Sequence, residues 1–168
     1  SVFRVFDEFV RTRSNALALQ MIGVNGREAV EEMLRSKFPD LARNVTFTGR
    51  LPNDLMALEL AKANAFLMFN MYAHSGTKVY DYLALRRRII LCYSDDPEAR
   101  KLKVQHYKLD LPPGANERVL EWIVEDTKSG VVVKDATHLR EVLADLHREF
   151  EANKGIACEP VGTDKYSR

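Results

Sequence analysis

The sequence predicts an α/β fold with a mostly parallel sheet, and three observations support that prediction. Short apolar stretches alternate with amphipathic stretches of helical length along most of the 168 residues. The apolar stretches, such as "AFLMFN" at 65–70 and "RIILCY" at 88–93, are continuous rather than alternating, which is typical of strands buried on both faces. Helical stretches separate successive strands, and this is the order of βαβ units.

The first part of the chain supplies a helix and then two strands that alternate with two further helices. The apolar residues of 1–13 recur on one helical face: Val2, Phe6, Phe9 and Val10. We expect strands at 16–23 and 45–49, and helices at 26–38 and 51–63. Pro39 closes the first of these two helices, and Asn53 or Asp54 caps the second.

The second part of the chain continues the same alternation with a weaker signal after Tyr93. We expect strands at 65–70, 88–93 and 131–133, and helices at 77–87, 94–104, 117–130 and 135–155, with a loop at 106–116. Gly130 ends the helix before the last strand. The tail from 156 to 168 has no periodicity and offers few partners for Tyr166. The overall expectation is a Rossmann-like three-layer α/β/α sandwich.

Composition excludes several classes of protein. Lys and Arg number 25 and Asp and Glu 24, so the net charge of +1 argues against a dedicated nucleic-acid binder. The sequence has no signal peptide and no apolar run long enough to span a bilayer. Cys92 is expected to be a buried thiol in a strand and Cys158 incidental, without a disulfide between them, which suits a cytoplasmic protein.

The stretch "MYAHSGTK" at 71–78 is the strongest candidate for a binding site. It follows the strand 65–70, and ligands of parallel α/β sheets bind outside the carboxyl ends of the strands. Gly76 allows close approach of the backbone, Thr77 can cap the next helix, and Lys78 supplies a cation for phosphate. Asp81 lies on the same helical face and can accept hydrogen bonds from a ribose. This order suits a nucleoside diphosphate.

Each of these residues also has an ordinary structural explanation. Lys78 and Asp81 can form a surface ion pair, and His74 can be an exposed histidine instead of a donor contact. Arg86 to Arg88 are better explained as favourable charge at a helix C-terminus than as phosphate ligands. His106, His138 and His147 form no ligand cluster, so no metal is expected.

Three stretches, taken in order, resemble the C-terminal half of the family 4 (group 1) glycosyltransferases, which have the GT-B architecture. They are "NVTFTGRLPNDLMALELAKANAFLMF", "GTKVYDYLALRRRIILCYSDD" and "SGVVVKDATHLREVLADL". The resemblance implies that residues 1–155 form the domain that binds a nucleotide-sugar donor. It also implies that the chain is a fragment, without the first strand of this domain, the N-terminal acceptor domain and the crossover helix that would follow 156–168.

The resemblance assigns roles to individual residues. Lys78, with the amides of Gly76 and Thr77, would neutralise the donor diphosphate, and Asp81 would bind the ribose. Gly49 and Arg50 would lie against the base, although a solvated loop cation is the alternative for Arg50. The full set of residues implied for donor binding is Gly49, Arg50, His74, Ser75, Gly76, Thr77, Lys78 and Asp81.

The sequence departs from the family pattern at four positions. Ala73 stands where the family has the first glutamate of a Glu–seven residues–Glu motif, and Asp81 replaces the second. Arg86 and Arg88 replace the usual Gly and Pro after the helix. If the left-handed backbone is kept at Arg86, the substitution costs about 1 kcal/mol.

The expected function is therefore transfer of a sugar from a nucleoside diphosphate to a glycan or a lipid-linked acceptor, as in polysaccharide biosynthesis. No cofactor or metal is expected, and the catalytic acceptor-side residues would lie outside this chain. The resemblance also allows peripheral association of the full-length enzyme with the inner face of the cell membrane. The alternatives are a non-catalytic α/β regulatory or interaction module and, less favoured, a nucleotide-sugar epimerase that would use Asp95, Asp96 and Glu98.

Overall fold

The computed structural model describes residues 2–13, 17–70, 77–92 and 118–166. Within these ranges the chain forms seven α-helices, five β-strands and one short 3₁₀ helix. All strand pairings are parallel. The predicted Rossmann-like α/β fold class is confirmed, with the described strands arranged in two small sheets.

The helices and strands alternate as the sequence predicts. The helices are α1 (Val2–Thr12), α2 (Arg27–Lys37), α3 (Pro39–Ala42), α4 (Asn53–Ala61), α5 (Lys78–Ala84), α6 (Val119–Asp126) and α7 (Ala136–Asn153). The strands are β1 (Leu19–Ile22), β2 (Val45–Thr48), β3 (Ala65–Phe69), β4 (Arg88–Cys92) and β5 (Gly130–Val132). The predicted helix at 94–104 and loop at 106–116 lie outside the described residues. None of the described helices is both long and apolar enough to cross a membrane.

The chain divides into two compact units. The first comprises Ser1–Lys62 and Ala136–Arg148, and the second comprises Ala63–Asp135 and Glu149–Arg168. The first unit contains the sheet β1–β2, paired from Leu19↔Val45 to Ile22↔Thr48. The second contains the sheet β3–β4–β5, in which β4 is central.

The core of the first unit is formed mainly by helices. The predicted apolar face of α1 is buried, and Val5 joins it. Leu34 of α2 and Leu41 of α3 are almost completely buried, as are Leu139 and Leu143 of α7. Asp7 of α1 stabilises the start of α3, because its Oδ1 accepts hydrogen bonds from the backbone amides of Asp40 and Leu41 at 3.0 and 2.9 Å.

The core of the second unit surrounds β4, whose last four residues are buried. Two of them, Ile89 and Leu91, pack against the inner faces of the helices α5 and α6, which contribute Val79, Leu83, Leu120, Ile123 and Val124. Cys92 is buried, as the sequence predicts, and burial raises the pKa of its thiol to about 12. Both cysteines are free.

Pro39 follows the end of α2 at Lys37, as the sequence predicts, and it also opens the additional helix α3. Two other predictions about helix ends are wrong. Asn53 and Asp54 do not cap α4, because the N-cap is Pro52 and no side chain bonds to the free amides there. Gly130 does not end α6, which stops at Asp126, but is the first residue of β5.

Gly130 is required by a close approach between strands. A Cβ atom at this position would lie 1.9 Å from the carbonyl oxygen of Ile89 on β4. The turn that precedes it is also buried: Thr127 Oγ1 donates to the carbonyl of Ile123 at 2.7 Å, and the Ser129 hydroxyl lies 2.9 Å from that of Thr127. These contacts fix Gly130 as the residue at which β5 starts.

Basic residues occupy the left-handed position at the ends of three helices. Arg86 after α5, Lys128 after α6 and Lys154 after α7 have φ of 50°, 51° and 55°. A left-handed backbone at Arg86 carries an expected cost of about 1 kcal/mol, and Arg86 does adopt that backbone. A cation is favourable at a helix C-terminus, although the backbone conformation is strained.

The tail after α7 is attached to the second unit, so the prediction that Tyr166 has few partners is wrong. The Tyr166 ring lies 6.3 Å from Tyr80 and 6.1 Å from Trp122, measured between ring centroids. Its hydroxyl donates to Asp126 Oδ2 at 3.1 Å, and Lys165 bonds to the same carboxylate. The hydrogen bonds from Lys165 and then Tyr166 lower the pKa of Asp126. Trp122 is nevertheless 55% exposed.

Candidate functional site

The carboxyl edge of the second sheet is where the fold provides a candidate site. β3, β4 and β5 are parallel, so their carboxyl ends meet at one edge. The amide of Asn70, the residue after β3, donates to the carbonyl of Cys92, the last residue of β4, at 3.0 Å. Because α5 returns the chain from the end of β3 to the start of β4, its first residues lie on this side of the sheet.

Thr77, Lys78 and Asp81 are all exposed at the start of α5. Their helix is held in place by its opposite face, on which Val79 and Leu83 are buried. Lys78 and Asp81 form no ion pair with each other or with any other described residue. The alternative of a Lys78–Asp81 surface pair is therefore absent from this structure, and both groups point to solvent.

Thr77 is the N-cap residue of α5, but it does not act as the capping side chain that the sequence predicts. Its backbone is in the right-handed helical region and its hydroxyl bonds to none of the free amides. A capping hydroxyl would occupy one of those amides, so they stay available to another acceptor. Because α5 has only seven residues, the Lys78 ammonium is the larger source of positive charge here.

A second group of polar residues at this edge was not singled out by the sequence. Glu121 of α6 accepts a hydrogen bond from Asn70 Nδ2 at 2.8 Å, and its other oxygen accepts one from Arg118 Nε at 2.5 Å. The hydrogen bond that Arg118 donates to Glu121 raises the pKa of Arg118. Neither Asn70 nor Glu121 lies in a recognisable motif, and the only signal was that Asn70 ends an apolar strand.

Gly49 and Arg50 lie in the first unit, directly after β2, and both are exposed. Arg50 lines an open depression of about 850 Å³, which the β1–α2 turn and the first residues of α2 complete. Within it the Arg50 side chain passes over Gly23, where an added Cβ would lie 3.9 Å from Arg50 Cγ. The sequence did not predict a role for this turn, in which Gly23 and Gly26 both have positive φ.

Arg88, another arginine of the predicted region, has structural partners. Arg88 lies in β4 and pairs with Glu149 at 3.0 Å, and it also donates to the carbonyl of Ala157 at 2.6 Å. It therefore anchors the tail of the second unit. This role differs from both phosphate binding and the favourable helix-end charge that the sequence suggested.

Several predicted site residues lie outside the described residues. They are His74, Ser75 and Gly76 of the donor site, Ala73, and the three carboxylates of the epimerase alternative, Asp95, Asp96 and Glu98. In the ranges that are described, no group of three or more His, Cys, Asp or Glu side chains could hold a metal ion.

The arrangement at the carboxyl edge of the second sheet can bind an anion beside a hydroxyl-bearing group. Lys78 supplies the positive charge, and Asp81, one helical turn further, supplies the acceptor. Comparisons with protein-family models, with curated proteins and with solved structures found no match.

Proposed function

We propose that this chain is the donor-binding domain of a glycosyltransferase and that it holds a nucleoside-diphosphate sugar at the carboxyl edge of the second sheet. The observation that carries the proposal is the exposure of Lys78 and Asp81. Neither side chain forms an ion pair with a described residue, and the opposite face of their helix is buried. The sequence resemblance to the family 4 glycosyltransferases supports it independently. Sugar transfer itself would require the acceptor-side domain of such an enzyme.

In this proposal Lys78 stabilises the diphosphate as it leaves the sugar. Negative charge grows on the leaving group while the glycosidic bond breaks, and a fixed cation next to it lowers the energy of that transition state. Asp81 accepts hydrogen bonds from the ribose hydroxyls, which orients the nucleotide. The amide of Thr77 is a further donor for a phosphate oxygen.

Nucleotide titration of the isotopically labelled chain tests the proposal. Uridine or guanosine diphosphate at millimolar concentration should shift the amide resonances of residues 75–81. Lys78→Ala should weaken binding about tenfold, the effect of losing one charge-assisted contact. Lys37→Ala is the matched control, because Lys37 is also an exposed helical lysine without an ion pair among the described residues. Resonances that do not move with either nucleotide would refute donor binding.

A non-catalytic interaction module is the second candidate, and α4 of the first unit favours it. No residue of α4 is buried, and Leu55 and Leu58 are 47% and 64% exposed. Neighbouring exposed leucines are typical of surfaces that contact another protein. The nucleotide titration distinguishes the two candidates, since an interaction module has no reason to bind diphosphate at Lys78.

A further inference from the structure

The tail after α7 is fastened to the second unit at several successive points. The carbonyl of Ala157 accepts a hydrogen bond from Arg88 at 2.6 Å. The amide of Val161 donates at 2.8 Å to the carbonyl of Thr127, a fully buried residue. The last described residue of the tail, Tyr166, lies in the short 3₁₀ helix. These contacts set the course of the tail and bring Tyr166 against α5 and α6.

Tyr166 contacts both helices that cover β4. Its ring centroid lies 6.1 Å from that of Trp122 on α6 and 6.3 Å from that of Tyr80 on α5, distances at which aromatic rings attract one another. Its hydroxyl donates to Asp126 Oδ2 at 3.1 Å, which fixes the ring against α6. Tyr80 and Tyr166 both pack at the margin of the buried core. One side chain of the tail thus connects α5 to α6.

Tyr80 is the residue through which this contact reaches the proposed donor site. It lies between Lys78 and Asp81 in the sequence of α5, and its amide donates to the carbonyl of Thr77 at 3.1 Å. Because α5 has only seven residues and no side chain caps its first turn, that turn depends on packing contacts. Val79 provides one of them on the buried face, and the half-buried Tyr80 provides another.

We propose that Tyr166 is a positioning residue for the donor site, acting through Tyr80. The inference rests on the proposed function, because it concerns the same site. Tyr166 does not touch the ligand: it holds Tyr80, and with it the turn of α5 that presents Lys78 and Asp81, in one orientation. The tyrosine side chain carries no charge at neutral pH, so removing it changes the position of Lys78 and not the charge at the site.

Nucleotide titration of variants of the whole chain tests the inference. Tyr166→Ala should weaken the binding of uridine or guanosine diphosphate about threefold, within the range expected for one aromatic pair. Tyr166→Phe keeps the ring next to Tyr80 and should bind like the wild type. Val161→Ala is the control, since it shortens an exposed apolar side chain of the same tail and leaves the Tyr166 ring in place. The titrations are made well below the melting temperature of every variant, so that only folded protein is compared.

A double-mutant cycle with Tyr80→Ala separates positioning from a general structural role. Because Tyr166 acts through Tyr80, adding Tyr166→Ala to Tyr80→Ala should weaken binding no further. The amide of Tyr80 reports the same connection without nucleotide: its hydrogen exchange should accelerate in Tyr166→Ala and stay unchanged in Tyr166→Phe. If Tyr166→Ala does not fold, Tyr166→Leu, which lacks the ring but keeps apolar volume, takes its place in the cycle.

The outcomes differ for the inference and for the proposed function. A loss of affinity in Tyr166→Ala that is absent from Tyr166→Phe and from the Tyr80→Ala background supports positioning. A lower melting temperature with unchanged affinity, unchanged exchange at Tyr80, or losses that multiply in the double variant each overturn the inference and leave the proposed function intact. Equal losses in Tyr166→Phe and Tyr166→Ala also overturn it, because they trace the effect to the hydroxyl bond with Asp126. If the wild type binds neither nucleotide, the proposed function and the inference fail together.

Discussion

The two sheets of this protein are built in the same way but are buried to different extents. No residue of β1 or β2 is fully buried, and Gln20 and Thr46 are exposed. In β4 all residues after Arg88 are buried. Parallel pairing is the same in both sheets, so the difference comes from side chains: "LQMI" and "VTFT" include polar residues where "RIILC" continues with apolar ones.

The comparison shows that burial in the two units has different sources. In the first unit, helices bury one another, as Val5 and Phe6 of α1 and Leu41 of α3 demonstrate. In the second unit, two helices bury a strand. The core of the first unit thus consists mainly of helices, whereas the core of the second unit surrounds a strand of its parallel sheet. Substitutions in the second sheet should therefore have the larger effects.

Gly130→Ala should have the largest effect on stability. The new methyl group would lie 1.9 Å from a backbone oxygen of β4, and a backbone atom cannot move away without separating the strands. We expect a loss of about 4 kcal/mol or more in the free energy of unfolding, measured by urea titration. Gly155→Ala is the control, because an added Cβ there meets nothing within 4 Å. Similar stabilities of the two variants would contradict the close approach.

Leu120→Ala and Leu58→Ala make the same chemical change in the two units. Leu120 of α6 is 1% exposed, and its loss should cost about 3 kcal/mol through the apolar contacts and the cavity left behind. Leu58 of α4 is 64% exposed, so its loss should change the free energy of unfolding by less than about 0.5 kcal/mol. Urea unfolding followed by circular dichroism measures both values. Equal losses would contradict the difference in burial between Leu120 and Leu58.

Asp7→Ala tests how the helices of the first unit are held together. The Asp7 carboxylate accepts from two amides at the start of α3, and its loss should cost about 1 to 2 kcal/mol. Asp7→Asn keeps an oxygen that can accept and should cost less. Hydrogen exchange at the amides of Asp40 and Leu41 should accelerate in the alanine variant. Unchanged protection of both amides would argue against the contact.

Arg86→Gly should have a small effect, and it should be stabilising. Glycine adopts the left-handed φ of 50° without the strain that a Cβ causes, which favours the variant by about 0.5 to 1 kcal/mol. Arg86→Ala removes the same charge and keeps the Cβ, so it should show no gain. Comparing the melting temperatures of the two variants separates the effect of backbone strain from the effect of the lost charge. If the glycine variant is no more stable than the alanine variant, backbone strain at position 86 is excluded.

The parts of the fold that depend on local periodicity were predictable. The strand at β4 followed from its unbroken apolar run, and the buried face of α1 from residues that recur at helical spacing. Each of these features depends on residues close to one another in the sequence.

The features that were not predicted correctly from the sequence depend on contacts between distant residues or on ambiguous local signals. A glycine that ends a helix and a glycine that allows two strands to approach look alike in a sequence, which is why Gly130 was misassigned. Asn70 and Glu121 are 51 positions apart, and neither shows a pattern. The partners of Tyr166 are likewise distant, since its hydroxyl bonds to Asp126. For the candidate site, the exposure of Lys78 and Asp81 matches the sequence argument, while their ligand stays a proposal.

The division of α7 between the two units has a consequence for synthesis on the ribosome. Glu8 of α1 bonds to Arg140 of α7, which is 132 positions later, and Phe9 contacts His147 edge to face. The first unit is thus assembled from the earliest and from much later parts of the polypeptide. While the intervening residues are being translated, α1 can pack against α3, but the part of α1 that contacts α7 has no partner yet.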